Sequence, residues 1–298
     1  MPSPFSRLFS PETRRRLGHR VEYEALRAIT AVLRSMGIDR ASAFMGRAWR
    51  WLAPLNKRHA RADAHLAASL PHLTAAERAK ILDEMWDNLG RTAAETVLLP
   101  QLIRETERMS WDFSGVDLEK ARKGAVFVSL HTGNWEVMAL PARELGFSLQ
   151  AIYKPLTNPL VETWFADLRR SLYGAGLTRL DRGLALKIRT LARSGAMVAV
   201  IGDNRDDTHV VIDFFGRPAG AQPFPAMLAR RFGLPIYVGR VIRTEGAHFR
   251  IEVQEVEVPA SDDVQADILE LTVRIHAQFE KWISQKPGQW MWAQRKWL

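Results

Sequence analysis

His131 and Glu136 bracket the four residues Thr-Gly-Asn-Trp and follow the apolar run AVFVSL of residues 125–130. Imidazole is the side chain whose ordinary pKa lets it take up and return a proton near neutrality. A carboxylate on one ring nitrogen would fix the tautomer and stabilise the imidazolium, leaving the other nitrogen as a general base. A tight turn can fold Glu136 back onto His131 for that purpose. The same residues also suit an ordinary strand-to-helix turn, with Gly133 supplying the bend and Asn134 the helix cap.

The surrounding pattern bears on the choice. AVFVSL reads as a buried strand, and further apolar runs of strand length follow in FSLQAI (147–152), AMVAVIGD (196–203), PIYVGRVI (235–242) and HFRIEVQEVEV (248–258). In the last, Phe249, Ile251 and Val253 alternate, and the phase then slips to Val256 and Val258, which predicts a bulge or bend. Helical patterns lie between the strands: WEVMALPARELG, interrupted by Pro141; PLVETWFADLRRSLYG, opened by Pro159; GLALKIRTLARSG; FPAMLARRFG; and a last helix over 262–285. The predicted fold class is α/β, a mainly parallel central sheet flanked by helices, with a helical N-terminal region. In such sheets ligands bind beyond the carboxyl ends of the strands, where His131 and Asp203 both fall.

The front of the chain differs. Residues 1–65 carry 13 Lys and Arg against five acids, most of the whole chain's net charge of +9. VEYEALRAITAVLRSM (21–36) has helical apolar spacing, and ASAFMGRAWRWLAPL mixes Phe44, Trp49 and Trp51 with Arg47 and Arg50. This suits a helix in an anionic lipid interface, and equally a core helix with a solvated face. Thr74 and Glu77 form a capping-box pattern before the next helix, which Pro100 closes. The division expected is a basic amphipathic membrane-interface region over 1–60 and a single α/β domain with a helical front over 61–298. No apolar stretch approaches the roughly 20 residues of a membrane-spanning helix, and the first residues lack the apolar segment of a secretory signal.

Composition excludes some chemistry. With no cysteine there is no thiol nucleophile, thiolate metal site or disulfide in the chain. No G-x-S-x-G elbow supports a serine esterase. Asp203, Asp206, Asp207 and His209 cluster in sequence, but their spacing matches no metal motif, and no metal or other cofactor is expected.

Four blocks carry a resemblance: HTGNWE (131–136); YKPLTNPLVETW (153–164); GDNRDD with FFGRPAGAQPFPAMLARRFGLPI (202–236); and PGQWMWAQRKW near the end. Together they resemble the late (lauroyl/myristoyl) acyltransferases of bacterial lipid A biosynthesis, within the lysophospholipid acyltransferase superfamily marked by H-x4-D/E. The resemblance covers roughly residues 40–298. It implies a peripheral enzyme on the cytoplasmic face of the inner membrane. That enzyme moves an acyl group from an acyl carrier protein thioester (or acyl-CoA) to a hydroxyl of a lipid A precursor or another lipid acceptor. The resemblance makes His131 the base and Glu136 its partner. Candidate substrate-binding positions are Asn134, Lys154, Asp203, Arg205 and Arg217. Arg169 is a further cation, on a helix where a solvated face is the simpler reading. Lys154 stands where the family usually has Arg, Asn204 where it often has Gln, Gln294 where its ending has His, and Gly288 where it has Glu. The block typical of glycerolipid acyltransferases is absent, which argues against lysophosphatidate as acceptor. The expected partners are the thioester donor, the lipid acceptor and an anionic membrane surface, with no nucleic acid. A non-catalytic basic protein is the competing class; its only support is arginine clustering with interleaved Trp, and no nucleic-acid-binding signature accompanies it.

Overall fold

The computed structural model describes residues 10–179, 195–206 and 210–298. The stretch GLALKIRTLARSG, apart from its last glycine, and the positions Asp207 and His209 lie outside the described residues.

Among the described residues four helices form the front: α1 (Pro11–Met36), α2 (Ile38–Leu52), α3 (Lys57–Ser69) and α4 (Ala75–Val97). The predicted capping box opens α4, with Thr74 and Glu77 each satisfying the other's backbone N–H. Pro100 lies in the short α5 (Leu99–Leu102) that follows. The α/β part then runs β1 (Met109–Gly115), α6 (Leu118–Ala121), β2 (Ala125–Ser129), α7 (Leu140–Glu144), β3 (Leu149–Tyr153), α8 (Pro159–Arg169), β4 (Gly176–Arg179) and β5 (Met197–Ile201). It continues with β6 (Val210–Asp213), β7 (Pro218–Ala221), α9 (Phe224–Phe232), β8 (Ile236–Arg243), β9 (Phe249–Val256) and α10 (Val264–Gln285). Pro141 does not break a longer helix in the middle: a 3-10 turn over Trp135–Ala139 precedes it, and Pro141 sits in the first turn of α7, where no backbone donor is needed.

Among the described residues seven strands form one sheet in the order β1-β9-β8-β2-β5-β3-β4. The five strands from β8 to β4 run parallel; β9 is antiparallel to β8, and β1 lies parallel to β9 at the edge. The expected α/β class is therefore met. The bulge expected in β9 is not where the phase slip suggested. The β8–β9 ladder is regular from Ile236↔Val256 to Arg243↔Phe249, and the register shift falls in the β1–β9 pairing, between Asp112 and Gly115. The apolar phase changes because the burial alternation fades after Val253. β1, β4 and the β6–β7 hairpin carry too little apolar pattern to read as strands.

Alternate residues of the central strands feed two cores. Val126 and Val128 pack on one face with α9, α10 and the C-terminal tryptophans; Ala125 packs on the other with Leu149, Met197 and Tyr237. Trp290, Trp292 and Trp297 are buried around Phe214, so they belong to the core. Trp51 is 78% exposed. Leu17, Val21, Ile29 and Val32 are also exposed on α1, within a sector of roughly 120° at 3.6 residues per turn. Phe44, Leu52 and Leu55 extend this exposed apolar surface along α2 and the turn after it. Among the described residues no helix is long and apolar enough to cross a membrane.

Candidate active site

The register of two adjacent parallel strands brings the site together. Ser129, the last residue of β2, pairs with Ile201, the last of β5. His131 and Asp203 each lie two residues further on and so emerge side by side. His131 Nδ1 is 2.8 Å from Asp203 Oδ1, and the His131 backbone N–H donates to Asp203 Oδ2 at 2.9 Å. Trp290 Nε1–H donates to the same Oδ2 at 2.8 Å, and Gln294 Nε2 lies 3.3 Å from it. An ionised carboxylate only accepts, so the ring proton resides on Nδ1. No described residue hydrogen-bonds Nε2, and His131 lines a cleft of about 710 Å³.

Electrostatics reinforce this arrangement. Burial disfavours the Asp203 carboxylate, but the facing imidazole and the donated N–H bonds outweigh it and hold its pKa well below the usual carboxylate range. Burial alone would lower the His131 pKa; the Asp203 charge and hydrogen bond, with a further contribution from Glu136, raise it above the ordinary 6.5.

Glu136 occupies a different position from the one expected. The 3-10 turn carries its carboxylate toward the end of α8, where it accepts from Arg169 Nε at 2.6 Å and Nη2 at 2.5 Å. The hydrogen bond expected between Glu136 and His131 is thus a correction: Asp203, brought in by strand pairing, takes the imidazole, and Arg169 takes Glu136. Arg169 is not a solvated helix cation but one half of this bidentate pair, facing the same cleft.

The remaining candidates divide. Lys154, past the end of β3, is exposed and lines the cleft. Arg205 lines it too, while its Nη1 donates to the Trp297 carbonyl at 2.6 Å. Asn134 and Arg217 are not among the lining residues. Asn134 is fully buried; its Oδ1 accepts from the Glu136 N–H and its Nδ2 donates to Glu95 Oε2 at 2.9 Å, so it shapes the turn instead of meeting substrate. Arg217 lies over the Trp297 ring at 4.8 Å, on the C-terminal aromatic cluster. Among the described residues no group of acids and histidines could hold a metal ion, and Asp203 is already committed to His131 and Trp290.

Sequence reasoning missed the clamp that holds the His131 turn. Asn88, Thr92 and Glu95 recur at i, i+4 and i+7 on one face of α4. Asn88 Nδ2 and Thr92 Oγ1 donate to the Gly133 carbonyl at 2.9 and 3.0 Å. Glu95 pairs with Arg243 at 2.5 Å, and Arg243 Nε donates to Asn88 Oδ1 at 2.9 Å. Gln289 joins from the C-terminal segment, receiving the Arg243 N–H and donating to its carbonyl. Gly133 itself has φ of +55°, and a Cβ there would sit 2.3 Å from the Val241 carbonyl oxygen, so both conformation and space require glycine. The polar spacing on α4 was a readable signal. Its partners are remote in sequence.

The cleft is polar at one end, around His131, Lys154, Asn204, Arg205 and Asp206, and apolar at the other, around Phe127, Met138 and Leu149. An imidazole at the polar end of a cleft with an apolar floor could serve acid–base chemistry on a long apolar group attached to a charged carrier. No curated protein matches the chain. Residues 12–298 match the family of bacterial lipid A biosynthesis acyltransferases, and the chain belongs to that family.

Proposed function

We propose that the protein transfers a fatty acyl group from a thioester, with acyl carrier protein as the expected donor, to a hydroxyl of a lipid A precursor. The observation that carries this reading is the His131–Asp203 pair at the polar end of a cleft whose other end is apolar. An alcohol is a weak nucleophile at neutral pH. His131 Nε2 removes its proton as the oxygen attacks the thioester carbonyl, and Asp203 fixes the tautomer and stabilises the imidazolium. The thiolate then departs and the proton can return to it from His131. No covalent enzyme intermediate and no cofactor is needed. Arg169, Lys154 and Arg205 supply positive charge for the developing oxyanion and for phosphates of donor or acceptor. Glu136 holds Arg169 in place.

The exposed apolar sector of α1 and α2, beside the exposed Arg14, Arg15, Arg16, Arg20 and Arg47, supports docking on an anionic bilayer. We assign it to the cytoplasmic face of the inner membrane, with the region up to residue 60 as the docking element. The test is mass spectrometry of lipid A from a Gram-negative host lacking its late acyltransferase. Complementation with the wild type adds one acyl group; His131→Ala does not. A membrane-bound wild type that leaves lipid A unchanged redirects the acceptor to another lipid.

A further inference from the structure

The apolar end of the cleft abuts a second space. Phe127, Met138 and Leu149 line the cleft on one side and a small cavity of about 30 Å³ on the other. Beyond this wall the cavity is lined by Phe113, Leu118, Ala142, Phe147, Tyr237 and Val253. Such apolar space stays dry. The wall is built over Gly239 of β8: a Cβ on that residue would meet Met138 Cε at 2.3 Å and the Phe127 ring at 2.7 Å. The missing side chain is what lets Met138 and Phe127 converge there.

The wall lies on a line from the imidazole. Phe127 and Ser129 alternate along β2, His131 follows two residues past its end, and all three line the cleft. Ser129, whose buried hydroxyl bonds to no described residue, is the last polar group on this strand before the wall. From Phe127 to His131 the chain advances at most about 13 Å, at about 3.3 Å per residue of extended backbone. A saturated chain extends about 1.25 Å per carbon, from a bond of about 1.5 Å and an angle near 111°. The distance therefore spans about ten carbons.

We propose that Phe127, Met138 and Leu149 stop the methyl end of the acyl chain, so that this wall sets the transferred length at about ten to twelve carbons. The proposal rests on the acyltransferase reading above. The cavity behind the wall is a latent extension of the acyl site, closed chiefly by the Met138 side chain.

The test is kcat/KM of the purified full chain with acyl carrier protein thioesters from octanoyl to hexadecanoyl. In an apolar pocket one methylene is worth roughly 10–200-fold in this ratio, so the optimum is sharp enough to read. The wild type is expected to favour decanoyl or dodecanoyl. Met138→Ala opens the cleft into the cavity and moves the optimum about three carbons longer, matching the three chain atoms (Cγ, Sδ, Cε) removed. Gly239→Ala pushes the wall into the cleft and moves it shorter. Adding Ala142→Leu to Met138→Ala refills the cavity and returns the optimum toward the wild type. If Met138→Ala does not hold its fold by circular dichroism, Phe127→Leu shortens the wall with less loss of core. An unchanged optimum in folded Met138→Ala or Phe127→Leu and in folded Gly239→Ala overturns the stop while leaving acyl transfer standing. A wild type that transfers no acyl group from any thioester overturns the reading on which the stop depends.

Discussion

Two buried carboxylates flank the cleft and meet opposite fates. Asp203 sits under an imidazole, Glu136 against a guanidinium. Their burial is similar, yet their partners give them different chemistry. Imidazole can gain and lose a proton near neutrality, so the Asp203 region can cycle charge. Guanidinium stays protonated, so the Glu136 region is a permanent ion pair that can only orient and polarise. The H-x4-E spacing drew attention to Glu136, but the residue that touches the histidine is 72 positions away from it in sequence.

This contrast makes separate predictions for the two regions. His131→Ala removes the proposed base and is expected to lower turnover by about 10²–10⁴-fold, measured with a thioester donor and lipid acceptor. A folded His131→Ala protein with near-normal turnover would overturn the mechanism. Asp203→Asn keeps the size of the side chain but loses the charge and favours the wrong tautomer; a fall of about 10²-fold or more is expected. Its pH profile carries the sign. In the proposed mechanism the neutral imidazole is the base, so activity is expected to rise with pH through the His131 pKa, which lies above 6.5 in the wild type. Without Asp203 the imidazolium loses its main support, and the acid limb moves to lower pH.

Glu136→Gln tests the other side. It strands Arg169, and breaking a buried pair costs about 3–5 kcal/mol; the partial exposure of Arg169 places the loss at the lower end. Turnover falls roughly tenfold through misplacement of the cation. The acid limb moves less than in Asp203→Asn, because Glu136 contributes least of the groups that raise the His131 pKa. A larger shift from Glu136→Gln than from Asp203→Asn would erase the distinction between the two regions. The smallest effect belongs to the surface: Trp51→Ala with Leu55→Ala is expected to weaken binding to anionic vesicles about tenfold, with the fold unchanged. Undiminished vesicle binding would remove these side chains from the docking surface.

The strands β2, β3, β5, β8 and β9 were legible because each is an apolar run of strand length bounded by turn residues. The clamp on the His131 turn was not. Asn88, Thr92, Glu95, Arg243 and Gln289 are ordinary polar residues until α4, β8 and the C-terminal segment meet. The tryptophans show the same limit: the sequence does not distinguish Trp51, exposed on α2, from Trp290, buried beneath Asp203. Amphipathic aromatic side chains suit a lipid interface and a protein core alike.

By itself the sequence determined the α/β class, the strand that leads to His131, the glycine turn after it and the basic front. These are local properties, carried by periodicity, turn chemistry and charge along one stretch of chain. Only the tertiary structure decided which carboxylate meets the imidazole, that Arg169 is paired, and where the cleft ends. Those depend on which strands become neighbours and in what register. Pairing of β2 with β5 brings His131 to Asp203, and no local spacing encodes a contact between residues so far apart along the chain.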